Sequence, residues 1–97
     1  MVVEVRIPAV FRKHVGGERA IESQGGTIKD VLDKMGATYP QLREELFGDA
    51  GDLHRFVNVY LNDEDVRFLE GLDTKVDEGD VVSILPAVAG GTEARKV

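Results

Sequence analysis

Apolar side chains at Val3, Val5 and Ile7 alternate with Glu4 and Arg6, the period of two that a half-buried strand requires. Pro8 limits that strand. An irregular piece over 9–17 leads to a second short strand around 19–23. The Gly16-Gly17 pair has the chemistry of a hairpin connection, while Phe11 and Val15 predict a longer, partly packed loop. The two opening strands are expected to form an antiparallel hairpin.

A period near 3.6 then takes over. Ile28, Val31, Leu32 and Met35 fall at i, i+3, i+4 and i+7, one apolar stripe along a helix. Thr27 is placed to cap its first turn, Asp30 to complement the dipole there, and Gly36 to stop it. Tyr39-Pro40 opens a second helical piece, with Leu42, Leu46 and Phe47 on one side and Arg43, Glu44 and Glu45 turned outward. Residues 48–52 read as a loop.

The strongest strand covers 56–61. Val57, Val59 and Leu61 make one face, and Phe56, Asn58 and Tyr60 the other. The chain turns at Asn62, Asp63, Glu64 and Asp65, and a short strand over 66–68 is expected to return from it. Leu72 and Val76 are isolated anchors in a polar crossing. Residues 78–80 form a turn, and 81–85 the last strand, with Val82 and Ile84 inward and Ser83 outward. This order predicts an α+β roll: a mixed sheet with one main crossover helix and a second short helix, in one layer of sheet and one of helix.

Composition narrows the chemistry. The 97 residues carry 12 basic and 18 acidic side chains, a formal net charge of -6 that disfavours nucleic acid and anionic membranes as partners. One small domain has no room for a deep interdomain cleft, so a self-contained enzyme is not expected. With no Cys there is no thiolate chemistry, and two His do not make a usual zinc cluster. His14 and His54 stand at no telling spacing from a nucleophile and read as structural or solvated. Ser23 and Ser83 lack a nucleophile-elbow motif, 62–65 lacks the rest of a calcium loop, and neither Gly16-Gly17 nor Gly25-Gly26 is followed by a phosphate-loop lysine. The charge is uneven: 49–80 holds ten acids against three bases, a balance that can steer toward a basic partner. No signal peptide or membrane span is legible, and a cytoplasmic location is expected.

The remaining signal lies near the end. Pro86, Ala87, Val88, Ala89, Gly90 and Gly91 follow the last strand, then Thr92-Glu93-Ala94-Arg95-Lys96-Val97. Small residues and two glycines predict an extended, mobile arm over 87–91. A glycine carboxylate at the tip of a thin arm has no side chain to obstruct a narrow channel. It can be activated there as an acyl-adenylate and then receive sulfur or an amine. That carboxylate exists at Gly91 only once 92–97 have been removed.

Three blocks carry a resemblance. Val5-Arg6-Ile7-Pro8, the run 53–68 (LHRFVNVYLNDEDVRF) and the closing run 79–91 (GDVVSILPAVAGG) are similar to the MoaD/ThiS family of ubiquitin-like sulfur carrier proteins, and within it to the branch used for cysteine biosynthesis. The resemblance implies a ubiquitin-like β-grasp domain over 1–86, the arm 87–91, and a tail 92–97 removed between Gly91 and Thr92 by a zinc metalloprotease of the JAMM type. It implies ATP-dependent activation of Gly91 by an adenylating enzyme of the ubiquitin-activating type, sulfur held there as a thiocarboxylate, and transfer on a pyridoxal-phosphate cysteine synthase. ATP, pyridoxal phosphate and zinc would belong to those partners, and the chain itself would bind no cofactor or metal and be a monomer when free. Thiamine, molybdopterin or a secondary metabolite are alternative destinations for the sulfur, and a protein modifier or plain binding module are alternative roles. Phe56, Tyr60, Asp63 and Asp65 are the expected partner surface beside the arm.

Overall fold

The computed structural model describes residues 2–48, 53–54 and 56–86. Strand β1 (Val2–Arg6) and strand β2 (Ala20–Gln24) pair antiparallel with Val3 opposite Ser23. The connection between them is a 3-10 helix, Ala9–Val15, whose Phe11 and Val15 are buried as their spacing suggested. It closes on Gly16 at φ 68°, a left-handed conformation that a residue without Cβ adopts at no steric cost.

Helix α1 (Ile28–Thr38) starts where Thr27 accepts a hydrogen bond from the Asp30 backbone N–H at 3.2 Å. Its stripe of Ile28, Val31, Leu32 and Met35 is buried. The helix does not stop at Gly36. It runs on to Thr38, and Gly36 lies inside it against helix α2 (Pro40–Leu46). A Cβ at residue 36 would sit 2.9 Å from Cβ of Arg43, so this glycine permits the close approach of the two helices. Leu42 and Leu46 of α2 are fully buried, while Phe47 lies past the helix end and bridges to Leu53.

Strand β3 (Val57–Leu61) turns at Asn62 and Asp63, both at positive φ (50° and 76°), as a two-residue type I′ hairpin demands. It returns in strand β4 (Glu64–Asp65). The expected strand over 66–68 is instead a 3-10 turn, Val66–Phe68, capped by the Asp65 carboxylate. Only Val66 of that piece is buried, and Phe68 is 85% exposed. A strand there would need a second inward side chain, and the sheet offers it no neighbour beyond β4. A second 3-10 turn, Gly71–Asp73, completes the crossing to strand β5 (Val81–Pro86).

The five strands lie in the order β2-β1-β5-β3-β4. β5 runs parallel to β1, with Arg6 opposite Ser83, and antiparallel to β3, with Val57 opposite Pro86. Val3, Val5, Val57, Val59, Val82 and Ile84 point to one side and form a single core with the stripes of α1 and α2. Ser23 is the polar exception on that side, and its Oγ donates to the Val31 carbonyl at 2.8 Å, tying β2 to α1. Among the described residues the helices pack on this one face. The opposite face of the sheet is left uncovered by the described residues.

Candidate functional site

Alternation along β1, β3 and β5 puts Glu4, Arg6, Tyr60, Ser83 and Leu85 on the uncovered face. Tyr60 stands opposite Ser83 on one side and Asp65 on the other, and it is half-buried. Leu85 lies opposite Asn58 and is 45% exposed. Pro86 is the last described residue, so β5 delivers the chain to the edge of this face beside Val57. Phe56 sits immediately before β3 at the same edge, 53% exposed, its ring stacked on His54 at 5.0 Å between centroids. Ala87, Val88, Ala89, Gly90, Gly91 and Thr92, the arm and the expected cleavage point, lie outside the described residues, as does the tail 92–97.

An open groove of about 680 Å³ crosses this face, with Pro8, Arg12, Arg19, Tyr60, Asp63 and Leu85 among its walls. Asp63 is exposed in the type I′ turn and also faces Arg6. Arg6 is held by Glu4, Nε to Oε2 at 2.9 Å, and this hydrogen bond raises the guanidinium further above its ordinary value. Arginines 12 and 19 were not legible as site residues. They come from an irregular connection with no periodicity, and only the pairing of β1 with β2 and the Ile7 N–H bond to the Arg19 carbonyl bring them to the groove.

Asp65 is not part of an open acidic surface. It is 7% exposed, its carboxylate accepts from the Arg67 backbone N–H at 2.8 Å and from Arg67 Nη2 at 2.9 Å, and Arg67 Nη2 also donates to Asn58 Oδ1 at 2.6 Å. A carboxylate so committed cannot steer a partner. The bond from the Arg67 guanidinium holds the Asp65 carboxyl below the usual carboxylate range. The folded-state value is therefore depressed, so its stabilising contribution is present above the unfolded value of about 4 and is lost as pH falls through the folded one. Urea denaturation is expected to show Asp65→Ala costing about 2 kcal/mol at neutral pH, through the lost charged hydrogen bonds. The deficit should shrink as pH falls below the unfolded value of about 4. An equal deficit at both pH values would show that the carboxylate's charge is irrelevant.

Among the described residues no group of three or more His, Cys, Asp or Glu could hold a metal ion, and no helix is long and apolar enough to cross a membrane. His14 is half-buried, its Nε2 shielded with no hydrogen-bond partner among them.

Comparison with known proteins adds the remaining observations. The family model described as "ThiS family" matches residues 5–91. The sulfur carrier protein CysO of Mycobacterium tuberculosis is 48% identical over 93 residues, covering 94% of this chain and 100% of that protein. Small archaeal modifier protein 3 of Haloferax volcanii is 39% identical over 94 residues, with the same two shares covered. A chain of the crystal structure of the Amycolatopsis orientalis BexX/CysO complex superposes with a TM-score of 0.85 at 46% identity, covering 92% of this chain and 99% of that one.

Proposed function

The chain belongs to the ThiS family, and on that premise we propose that it is a sulfur carrier that holds sulfur as a thiocarboxylate on Gly91 and gives it up for cysteine biosynthesis. The observation that carries this reading is where the family match closes. It ends at residue 91, on the second glycine of the pair, and residues 92–97 lie beyond it. Gly91 lies five residues beyond Pro86, a reach of at most about 18 Å. That is enough to present the carboxylate away from the bulk of the β-grasp domain.

The division of labour follows from chemistry. A carboxylate becomes an acyl donor only when its oxygen is made a leaving group, which is the work of ATP on an adenylating enzyme. Sulfur replaces the adenylate, and the resulting thiocarboxylate is a nucleophile that a pyridoxal-phosphate cysteine synthase can accept. ATP, pyridoxal phosphate and the zinc of a JAMM-type protease reside in the partners. The carrier supplies a terminus and a surface to be recognised by, which is consistent with a Cys-free chain. The BexX/CysO complex supports a role in which a domain of this shape docks on a second protein.

Intact-mass analysis tests the reading. Incubated with its adenylating enzyme, ATP, sulfide and a JAMM-type protease, the full chain is expected to lose the six residues 92–97 and then exchange one oxygen for sulfur. A chain that stays full-length beside a demonstrably active enzyme and protease would sink it. The likeness to small archaeal modifier protein 3 favours a second use of the same glycine, isopeptide linkage to lysines of other proteins. Higher-mass conjugates that vanish when the two glycines are deleted would support that use; their absence in cells making the processed chain would remove it.

A further inference from the structure

The charges around the groove are not evenly neutralised. At one end Arg6 is satisfied by Glu4 and faces Asp63. At the other end stand Arg12 and Arg19, for which no carboxylate partner occurs among the described residues. Arg12 is fixed in place: its Nε donates to the Ile7 carbonyl at 3.0 Å, and the 3-10 helix that carries it is closed by the Gly17 N–H bond to its own carbonyl. That bond uses one donor and leaves the two terminal nitrogens of the guanidinium for a ligand. Arg19 is exposed, and its backbone is fixed by the bond from Ile7.

The parallel register places this cationic end at the root of the arm. Arg6 pairs with Ser83, and beyond that pair Pro8 and Leu85, the latter one position before Pro86, line the same groove. Arg12 reaches back to the Ile7 carbonyl, and Arg19 is held opposite Ile7, so both belong to the same end of the sheet. In a chain of net charge -6, with ten acids gathered in 49–80, two arginines without a carboxylate partner among the described residues, lining the same groove as an exposed leucine, form a local field of the opposite sign. Arginine beside apolar surface is also the composition of an interface hot spot, because its planar fork takes a carboxylate with two bonds while its stem packs.

We propose that Arg12 and Arg19 seat an acidic segment of the enzyme that receives the arm, fixing the direction in which residues 87–91 enter it. The proposal rests on the carrier reading and goes beyond it by naming the chemistry of the partner surface. An acidic chain meeting an acidic enzyme surface elsewhere would be repelled, so a cationic foothold at the arm root sets orientation as well as affinity.

Two measurements test this. The first is the affinity of the chain ending at Gly91 for its adenylating enzyme. Arg12→Glu/Arg19→Glu is expected to weaken binding at least about tenfold at low salt, mainly through a slower on-rate. The difference should shrink toward about 1 M salt, where the Debye length falls to about 3 Å. Lys34→Glu, the same reversal on α1, should change affinity less than about twofold. Because Arg12 also bonds the backbone, Arg19→Glu alone, with thermal unfolding as control, keeps the test independent of folding. Wild-type adenylation with unchanged affinity in Arg19→Glu and in the double variant overturns the inference and leaves the carrier reading intact. A loss confined to the chain that retains 92–97 also overturns it, since the groove would then be holding the chain's own end.

The second measurement does not need the enzyme. A six-residue glutamate peptide titrated to millimolar concentration should shift the backbone amides of Arg12, Arg19, Ala20 and Leu85, and the double reversal should abolish those shifts. Shifts absent from these residues, or equal in the double variant, overturn the proposal whatever the adenylation result.

Discussion

A chain ending at residue 91 with Gly91→Phe is expected to form thiocarboxylate at least about a hundredfold more slowly than the wild-type chain ending at Gly91. Activation requires the carboxylate oxygen to approach the α-phosphorus of ATP in line, inside a site that must also exclude water. A misplacement of about 1 Å in such a reaction costs on the order of a hundredfold. A benzyl group on the reacting residue demands more room than that. Glycine also leaves the last backbone dihedrals unrestricted, so the carboxylate can take whatever approach the partner imposes.

The same substitution should leave the domain intact. Residue 91 lies five positions beyond Pro86, where the described pairing of β5 with β3 ends, so thermal unfolding is expected to move by no more than about 0.5 kcal/mol in equivalent stability. Thiocarboxylate would be read by intact mass, and adenylation separately by ATP–pyrophosphate exchange. The full chain with 92–97 uncut belongs in the same experiment. Its Gly91 carbonyl is locked in an amide, so both signals should be absent until the tail is removed. Normal thiocarboxylation of Gly91→Phe would show that the terminal residue is not held in a narrow channel, and the argument from side-chain size would fall.

How much of this was legible before the structure differs between elements for physical reasons. The stripe of Ile28, Val31, Leu32 and Met35 and the alternation of 57–61 report burial directly, because one face of each element meets the core. Gly36 misled because a glycine near the end of a periodic run has two explanations, a left-handed cap or a close approach. Only the position of Arg43 on the facing helix decides for the second. Asp65 looked like one acid in an acidic run; that it is buried and paired depends on the tight 62–63 turn, which sets residue 65 opposite Tyr60 of β3, and on Arg67, whose Nη2 bonds both Asp65 and Asn58. The glycine pair stood out for a different reason: a residue without a side chain suits covalent chemistry at a processed end, a reading drawn from residue type and not from packing, and the pair lies outside the described residues. The arginines of the groove were not, since their neighbours are remote in sequence and are supplied by strand pairing.

Leu32→Ala should have the largest effect on the fold. Leu32 is completely buried within the cluster that joins α1 to the sheet, and its removal leaves a cavity that close-packed valines cannot collapse to fill. Large-to-small changes of this kind cost about 2–5 kcal/mol. Taking about 3 kcal/mol, and about 4–8 °C per kcal/mol for a domain of roughly this size, thermal unfolding should fall by about 12–24 °C. Glu44→Ala, on the solvent side of α2, should stay within about 0.5 kcal/mol of wild type. The two largest predictions are then mirror images. Below its lowered midpoint the Leu32→Ala chain, ended at Gly91, should be thiocarboxylated at the wild-type rate per folded molecule, because Leu32 is wholly buried and presents no surface to a partner; Gly91→Phe should be fully folded and inert. A Leu32→Ala chain that is folded by circular dichroism yet not thiocarboxylated would mean that partners read the packing of the core through the sheet. The separation between a folding scaffold and a reactive terminus would then be wrong.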